Sequence, residues 1–143
     1  MNKPTSIPTQ GAPAVALSQL LDATALALQA VRAGQSGTVA LETTAAALRP
    51  GVQALLFQVL RHLGRAQALR RQLAPRNPPP RVDALLCTAL ALAWDPQAAP
   101  YAPFTLVNQA VEAAKRHPAT RAQASFVNAC LRRFLRERDT LVA

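Results

Sequence analysis

Apolar residues in this chain recur every three or four positions, and over no useful length do they alternate with polar ones. That spacing lines one face of an α-helix, whereas a half-buried strand repeats every two residues. Leu17, Leu21, Thr24, Leu28 and Val31 form the first stripe. Gly34 lies just past it, where a left-handed C-terminal cap is expected. Thr38 to Leu48 reads as a short Ala-rich helix closed by Arg49-Pro50-Gly51. Val52, Leu55, Leu56, Val59, Leu60 and Leu63 make the next stripe, with Pro50 near its first turn, where a missing N–H costs nothing. Gly64 is expected either to kink this helix or to separate it from one over 65–74.

Pro75-Arg76-Asn77-Pro78-Pro79-Pro80 is the strongest breaker in the chain. It reads as an interhelical loop, because apolar periodicity resumes at once. Val82, Leu85, Leu86, Ala89, Leu90, Leu92 and Ala93 cover so much of one helix's circumference that it belongs at the centre of a bundle. Trp94-Asp95-Pro96 ends it. Pro103 opens a helix carrying Leu106, Val107, Ala110, Val111 and Ala114, and His117-Pro118 closes that one. Thr120 and Gln123 have capping-box spacing ahead of Phe126, Val127, Cys130, Leu131, Phe134 and Leu135. The fold class that follows is all-α, a compact bundle of six or seven helices. The 143 residues suffice for one domain with its own core. Residues 1–13, with three prolines and little apolar content, read as a disordered leader, and 14–143 as the helical domain.

Several classes are excluded on composition. Two cysteines do not make a disulfide framework. The leader has no hydrophobic segment of a secretory signal, and no apolar run approaches the roughly 18 residues of a membrane span. A cytoplasmic chain without membrane partners is the expectation. The charge points to an anionic partner. Sixteen Lys+Arg against seven Asp+Glu give +9. Residues 1–60 hold three basic and two acidic residues, so thirteen basic and five acidic, a net +8, fall on residues 61–143. Such asymmetry suits nucleic acid.

The catalytic inventory is thin. Five scattered glycines form no phosphate or dinucleotide loop. Cys87 and Cys130 sit on apolar stripes and read as small buried hydrophobes rather than nucleophiles. His62 and His117 have no metal-ligand spacing to any partner. Asp22, Glu112 and Glu137 read as solvated charges on helix faces. No catalytic residue, metal or cofactor is assigned to this chain. The arginines are more informative, because guanidinium is matched to phosphate. Arg61 and Arg65 are one helical turn apart, and Arg70, Arg71, Arg76 and Arg81 follow with no acid between 61 and 81. Arg132 and Arg136 share a face of the last helix, beside Arg133 and Arg138, with Glu137 at pairing distance from Arg133. Arg61, Arg65, Arg70, Arg71, Arg132, Arg133 and Arg136 are the candidate RNA contacts. Trp94 and Tyr101 border one loop, where a ring is available either to cap the core or to stack on a base.

The run VLRHLGRAQALRRQL, the proline-broken loop, RVDALLCTALALAW, PYAPFTLVNQAVEAAKRH and SFVNACLRRFLRE together resemble the NusB-like all-α domain over about residues 50–140. Phe126-Val127-Asn128-Ala129-Cys130-Leu131-Arg132-Arg133 is the most specific piece. The helix from Pro103 to Lys115 also resembles a family helix, although Asn108 or Gln109 stands where the family has its first Glu. The Leu131-Arg132-Arg133 ending, the Val59-Leu60-Arg61 run and the lack of basic residues from Ala14 to Val31 resemble the N-terminal domain of RsmB-type 16S ribosomal RNA cytosine-C5 methyltransferases. They fit the free-standing antitermination factors of the family less well.

That resemblance implies an RNA-binding module, inactive alone, with ribosomal RNA and a C-terminal methyltransferase domain as partners. S-adenosylmethionine is then expected only in that catalytic domain, whose motifs this chain lacks. The apolar end Thr140-Leu141-Val142-Ala143 is read as the edge of an excised domain. A protein-docking bundle in which the arginines are incidental is the competing reading. Asn128, polar within an apolar motif, is expected to hydrogen-bond a neighbouring loop's backbone.

Overall fold

A computed structural model describes residues 16–95, 97 and 99–142. The proposed leader over residues 1–13 lies outside the described residues. Seven α-helices form among them: α1 Leu17–Arg32, α2 Gly37–Glu42, α3 Arg49–Arg61, α4 Leu63–Leu73, α5 Pro80–Ala93, α6 Pro103–Arg116 and α7 Ala124–Val142. A 3-10 turn, Arg121–Gln123, precedes α7, and no described residue is in a strand. The all-α bundle is the fold.

Helix α5 is the axis of the molecule. Every residue from Ala84 to Ala93 is buried, and α1, α3, α4, α6 and α7 all pack on it. The one hydroxyl in that run, Thr88, donates to the carbonyl of Ala84 at 2.7 Å, so burial leaves it satisfied. The flanking helices turn their stripes inward: Leu21, Leu28, Val52, Val59, Leu69, Leu106, Val127, Leu131 and Phe134 are all buried in the same cluster. Both sides of the proline-rich segment feed one core, so 74–79 is an interhelical loop and not a linker.

Punctuation in the sequence sets most of the helix ends. Gly34, with φ +108°, ends α1. Its N–H bonds the carbonyl of Val31 and that of Gln35 bonds Ala30, at 3.0 and 3.1 Å, which is the Schellman pattern. Ser36 caps α2 by accepting from the N–H of Val39 at 3.2 Å. Pro50, Pro80 and Pro103 each stand at the first or second helical position of α3, α5 and α6.

Four local expectations change. The helix expected over Thr38–Leu48 stops at Glu42, where Thr43 turns its hydroxyl onto the carbonyl of Ala40 at 2.9 Å. Such back-bonding threonines are poor helix propagators. The break between α3 and α4 falls at His62 (φ −111°, ψ 13°), and Gly64 lies inside α4. Thr120 forms no capping box; its buried hydroxyl donates to the carbonyl of Ala114 at 2.7 Å and so ties the turn to the end of α6. Asn128 accepts from an arginine rather than bonding a loop's backbone.

Helix α7 lies chiefly along α6 and also reaches α4 and α5. Leu131 and Phe134 are 2% and 1% exposed. Truncating Leu131 to Ala removes buried methyl groups from a close-packed site and is expected to cost about 2–5 kcal/mol. Urea denaturation of both proteins checks this, and an unchanged midpoint would take Leu131 out of the core.

Candidate nucleic-acid interface

Asp83 settles which arginines are free. It stands in the first turn of α5, while Arg32 and Arg70 occupy the last turns of α1 and α4. Arg32 Nη2 lies 3.1 Å from Asp83 Oδ2, and Arg70 Nε lies 2.8 Å from Oδ1. Arg70 also donates from Nη1 to the carbonyl of Ala74 at 2.9 Å and from Nη2 to Asn77 Oδ1 at 3.0 Å. It thereby fastens the proline-rich loop to α4. Only 7% exposed, Arg70 has no guanidinium edge to offer a phosphate, and the expectation that it grips RNA is corrected. The absence of acid between 61 and 81 is no guide, because the partner arrives from position 83. Arg81 behaves alike: its Nη2 is 3.0 and 3.3 Å from the two carboxylate oxygens of Asp22. Asp22 is therefore a paired group rather than a solvated charge.

The remaining candidates divide again. Arg61 closes α3 and is exposed, with no ion pair among the described residues. Arg65 is exposed in the first turn of α4. The break at His62 removes the continuous helical face expected to align these two. The Arg65 guanidinium lies 5.2 Å from the centroid of Trp94, a cation–π contact, so the face of that ring is taken by an arginine. Arg71 is exposed beside the buried Arg70. On α7, Arg133 pairs with Glu137 at 3.3 Å, as their spacing anticipates. Arg132 donates from Nε to Asn128 Oδ1 at 2.9 Å, and its Nη2 is 3.4 Å from Asn108 Oδ1. Amide oxygens orient that guanidinium without neutralising it. Arg136 is exposed and has no ion pair among the described residues.

Three features had little or no local signal. Arg138 Nη1 donates to the carbonyl of Ala93 at 2.8 Å, closing the end of α5 from a residue 45 positions away. Phe57 and Phe104 are 62% and 64% exposed; Phe57 stands off the apolar stripe of α3, whereas Phe104 continues the Val107–Val111 row at the exposed N-terminal end of α6. For Phe57 the only local signal is an aromatic ring out of register with its stripe.

No group of three or more His, Cys, Asp or Glu gathers among the described residues, and no helix there is long and apolar enough to cross a membrane. Both cysteines are buried. Burial, and then the Asp83 carboxylate, push the Cys87 thiol up to about 11. Burial raises Cys130 as well. Neither is a nucleophile at neutral pH.

The model of the NusB family matches residues 16–136, from the first turn of α1 almost to the end of α7. The chain belongs to the NusB family. The match extends the resemblance seen over 50–140 to include α1 and α2. No curated protein and no solved structure matches the chain.

Two adjacent arginines are expected to behave oppositely. Arg70→Ala leaves Asp83 short of a buried partner and should cost about 3–5 kcal/mol. Arg71→Ala removes an exposed charge from a helix end and should cost no more than about 1 kcal/mol. Guanidinium denaturation of the two variants checks the contrast, and equal losses would refute it. A second expectation concerns pH. Below pH 9 the Cys87 thiol is protonated in both the folded and the unfolded chain. Between pH 9 and about 11 only the unfolded chain releases that proton, so stability falls, by about 2–3 kcal/mol across the window. Cys87→Ala should lose that part of the slope. Parallel profiles of wild type and variant from pH 8 to 11 would show that the thiol does not titrate as stated.

Proposed function

We propose that this NusB domain is an RNA-binding module of the RsmB type. In this reading it holds ribosomal RNA for a methyltransferase domain and has no activity of its own. One observation carries the RNA-binding part. The fold uses acids to neutralise Arg32, Arg70, Arg81, Arg116 and Arg133, while Arg61, Arg65, Arg71, Arg132 and Arg136 stand exposed with no acidic partner among the described residues. Uncompensated guanidiniums offer the donor geometry that phosphate takes. NusB-family domains generally bind RNA, which agrees with this arrangement.

The finer assignment draws support from the family resemblance described above. Helix α1, LSQLLDATALALQAVR, is without a basic residue until Arg32, which itself is tied to Asp83. The first helix therefore offers no free arginine, in keeping with the methyltransferase branch rather than the antitermination factors. In this reading the methyl donor, S-adenosylmethionine, belongs to the catalytic partner domain, this chain holds no cofactor, and the protein works in the cytoplasm. A protein-docking role is the second reading, favoured by Leu26 and Val39, each 44% exposed on α1 and α2.

Phosphate contacts release counterions, so affinity should fall steeply as salt rises. For the domain alone, non-specific dissociation constants of about 10⁻⁴ to 10⁻⁶ M are expected at physiological salt. The double variant Arg61→Ala/Arg71→Ala should stay folded. It should bind a ribosomal RNA fragment more weakly, with a salt slope about one to two units shallower. Fluorescence anisotropy at several salt concentrations makes the comparison. A wild-type domain that binds no RNA even at low salt would overturn the proposal in favour of docking.

A further inference from the structure

Phe104 is the most exposed large apolar side chain among the described residues, 64% accessible at the second position of α6. It does not stand alone. With Arg132, Leu135 and Arg136 of α7 it lines a shallow cleft between the two helices. No acidic residue lines this cleft. The nearest carboxylate in sequence on its α7 wall, Glu137, is engaged by Arg133 on another side of the helix. Arg132 is held between Asn108 of α6 and Asn128 of α7, so its orientation is fixed while its full charge is kept. Arg136, one turn further along, adds a second unneutralised guanidinium.

An aromatic side chain beside two positive charges, one of them oriented by asparagines, is complementary to a nucleotide whose base is unpaired. The base stacks on a ring, and the phosphates lie against the arginines. Base-paired RNA offers phosphates but keeps its base faces inside the duplex, so Phe104 would have nothing to stack on. An apolar protein partner would leave the two guanidiniums uncompensated in a buried interface, which is costly. We infer that the Phe104–Arg132–Arg136 cleft is a subsite for one unpaired nucleotide of single-stranded RNA. This rests on the RNA-binding reading above and deepens it: the domain distinguishes single strands from duplex at this point.

The test titrates the domain with a fluorescent ten-nucleotide single-stranded RNA and with the same sequence in a duplex, at several salt concentrations. Phe104→Ala should weaken single-strand binding about 5- to 150-fold. It should leave duplex binding and the salt slope as in the wild type. Phe104→Leu keeps an apolar side chain without a ring and should behave as Phe104→Ala does. Asn108→Asp places a carboxylate against Arg132 without removing it, and should weaken single-strand binding and lower the salt slope by about one unit. Circular dichroism melting confirms that each variant is folded, as expected for surface positions. If Phe104→Ala weakens neither ligand, the subsite is refuted while RNA binding elsewhere stands. If Phe104→Leu binds single strands as the wild type does, the side chain acts by apolar contact and stacking is refuted. If the wild type binds neither RNA, the subsite and the RNA-binding reading fall together.

Discussion

A carboxylate at the start of the central helix joins three helix ends. Asp83 lies in the first turn of α5, where the backbone dipole favours negative charge, and it faces arginines from the last turns of α1 and α4, where the dipole favours positive charge. Local preference at each helix end thus agrees with the pairing between them. Arg70 then carries the connection onward to the carbonyl of Ala74 and the amide of Asn77, so the loop ahead of α5 is fixed by the same cluster. With α5 buried along its length, the placement of this cluster sets where α1 and α4 sit on it.

The same cluster sorts the arginines into two populations. A chain with a large basic excess has few acids to distribute, and here three ion pairs between helix ends and faces draw on Asp22 and Asp83. What is left over is exposed and positive. The basic surface is thus partly a consequence of how the helices are pinned: Asp83 and Glu137 are taken up by Arg70 and Arg133, and the neighbouring Arg71 and Arg136 are left to solvent. Arg132 extends the theme with neutral partners, since two asparagines orient it and leave its charge intact.

The architecture was legible in the sequence wherever one signal dominated. The stripes of α1, α3, α6 and α7, the all-round apolarity of α5 and the prolines at Pro50, Pro80 and Pro103 each follow from local spacing or from backbone chemistry. The site was legible only in part. Arg70 and Arg71 are neighbours of one residue type, yet one is a buried clamp and the other solvent-facing. The difference is made by Asp83, whose approach is a tertiary event. Thr120 carried the spacing of a cap but found a better acceptor in Ala114. Trp94 looked available for stacking until folding brought Arg65 over it. Phe104, three and seven residues before Val107 and Val111, has the spacing of a stripe residue, and only the packing of the bundle leaves it exposed at the start of α6.

The two sulfurs have a practical consequence. Cys87 and Cys130 are both enclosed, and burial keeps both protonated well above neutral pH. The outer surface is thus chemically blank toward maleimides and other thiol-seeking dyes among the described residues. A single cysteine introduced on an exposed helix face reacts ahead of either native one, with no need to remove them and disturb the core. The native fold therefore already has the background required for attaching a fluorophore or spin label at one chosen point, and for measuring distances from that point to a bound strand.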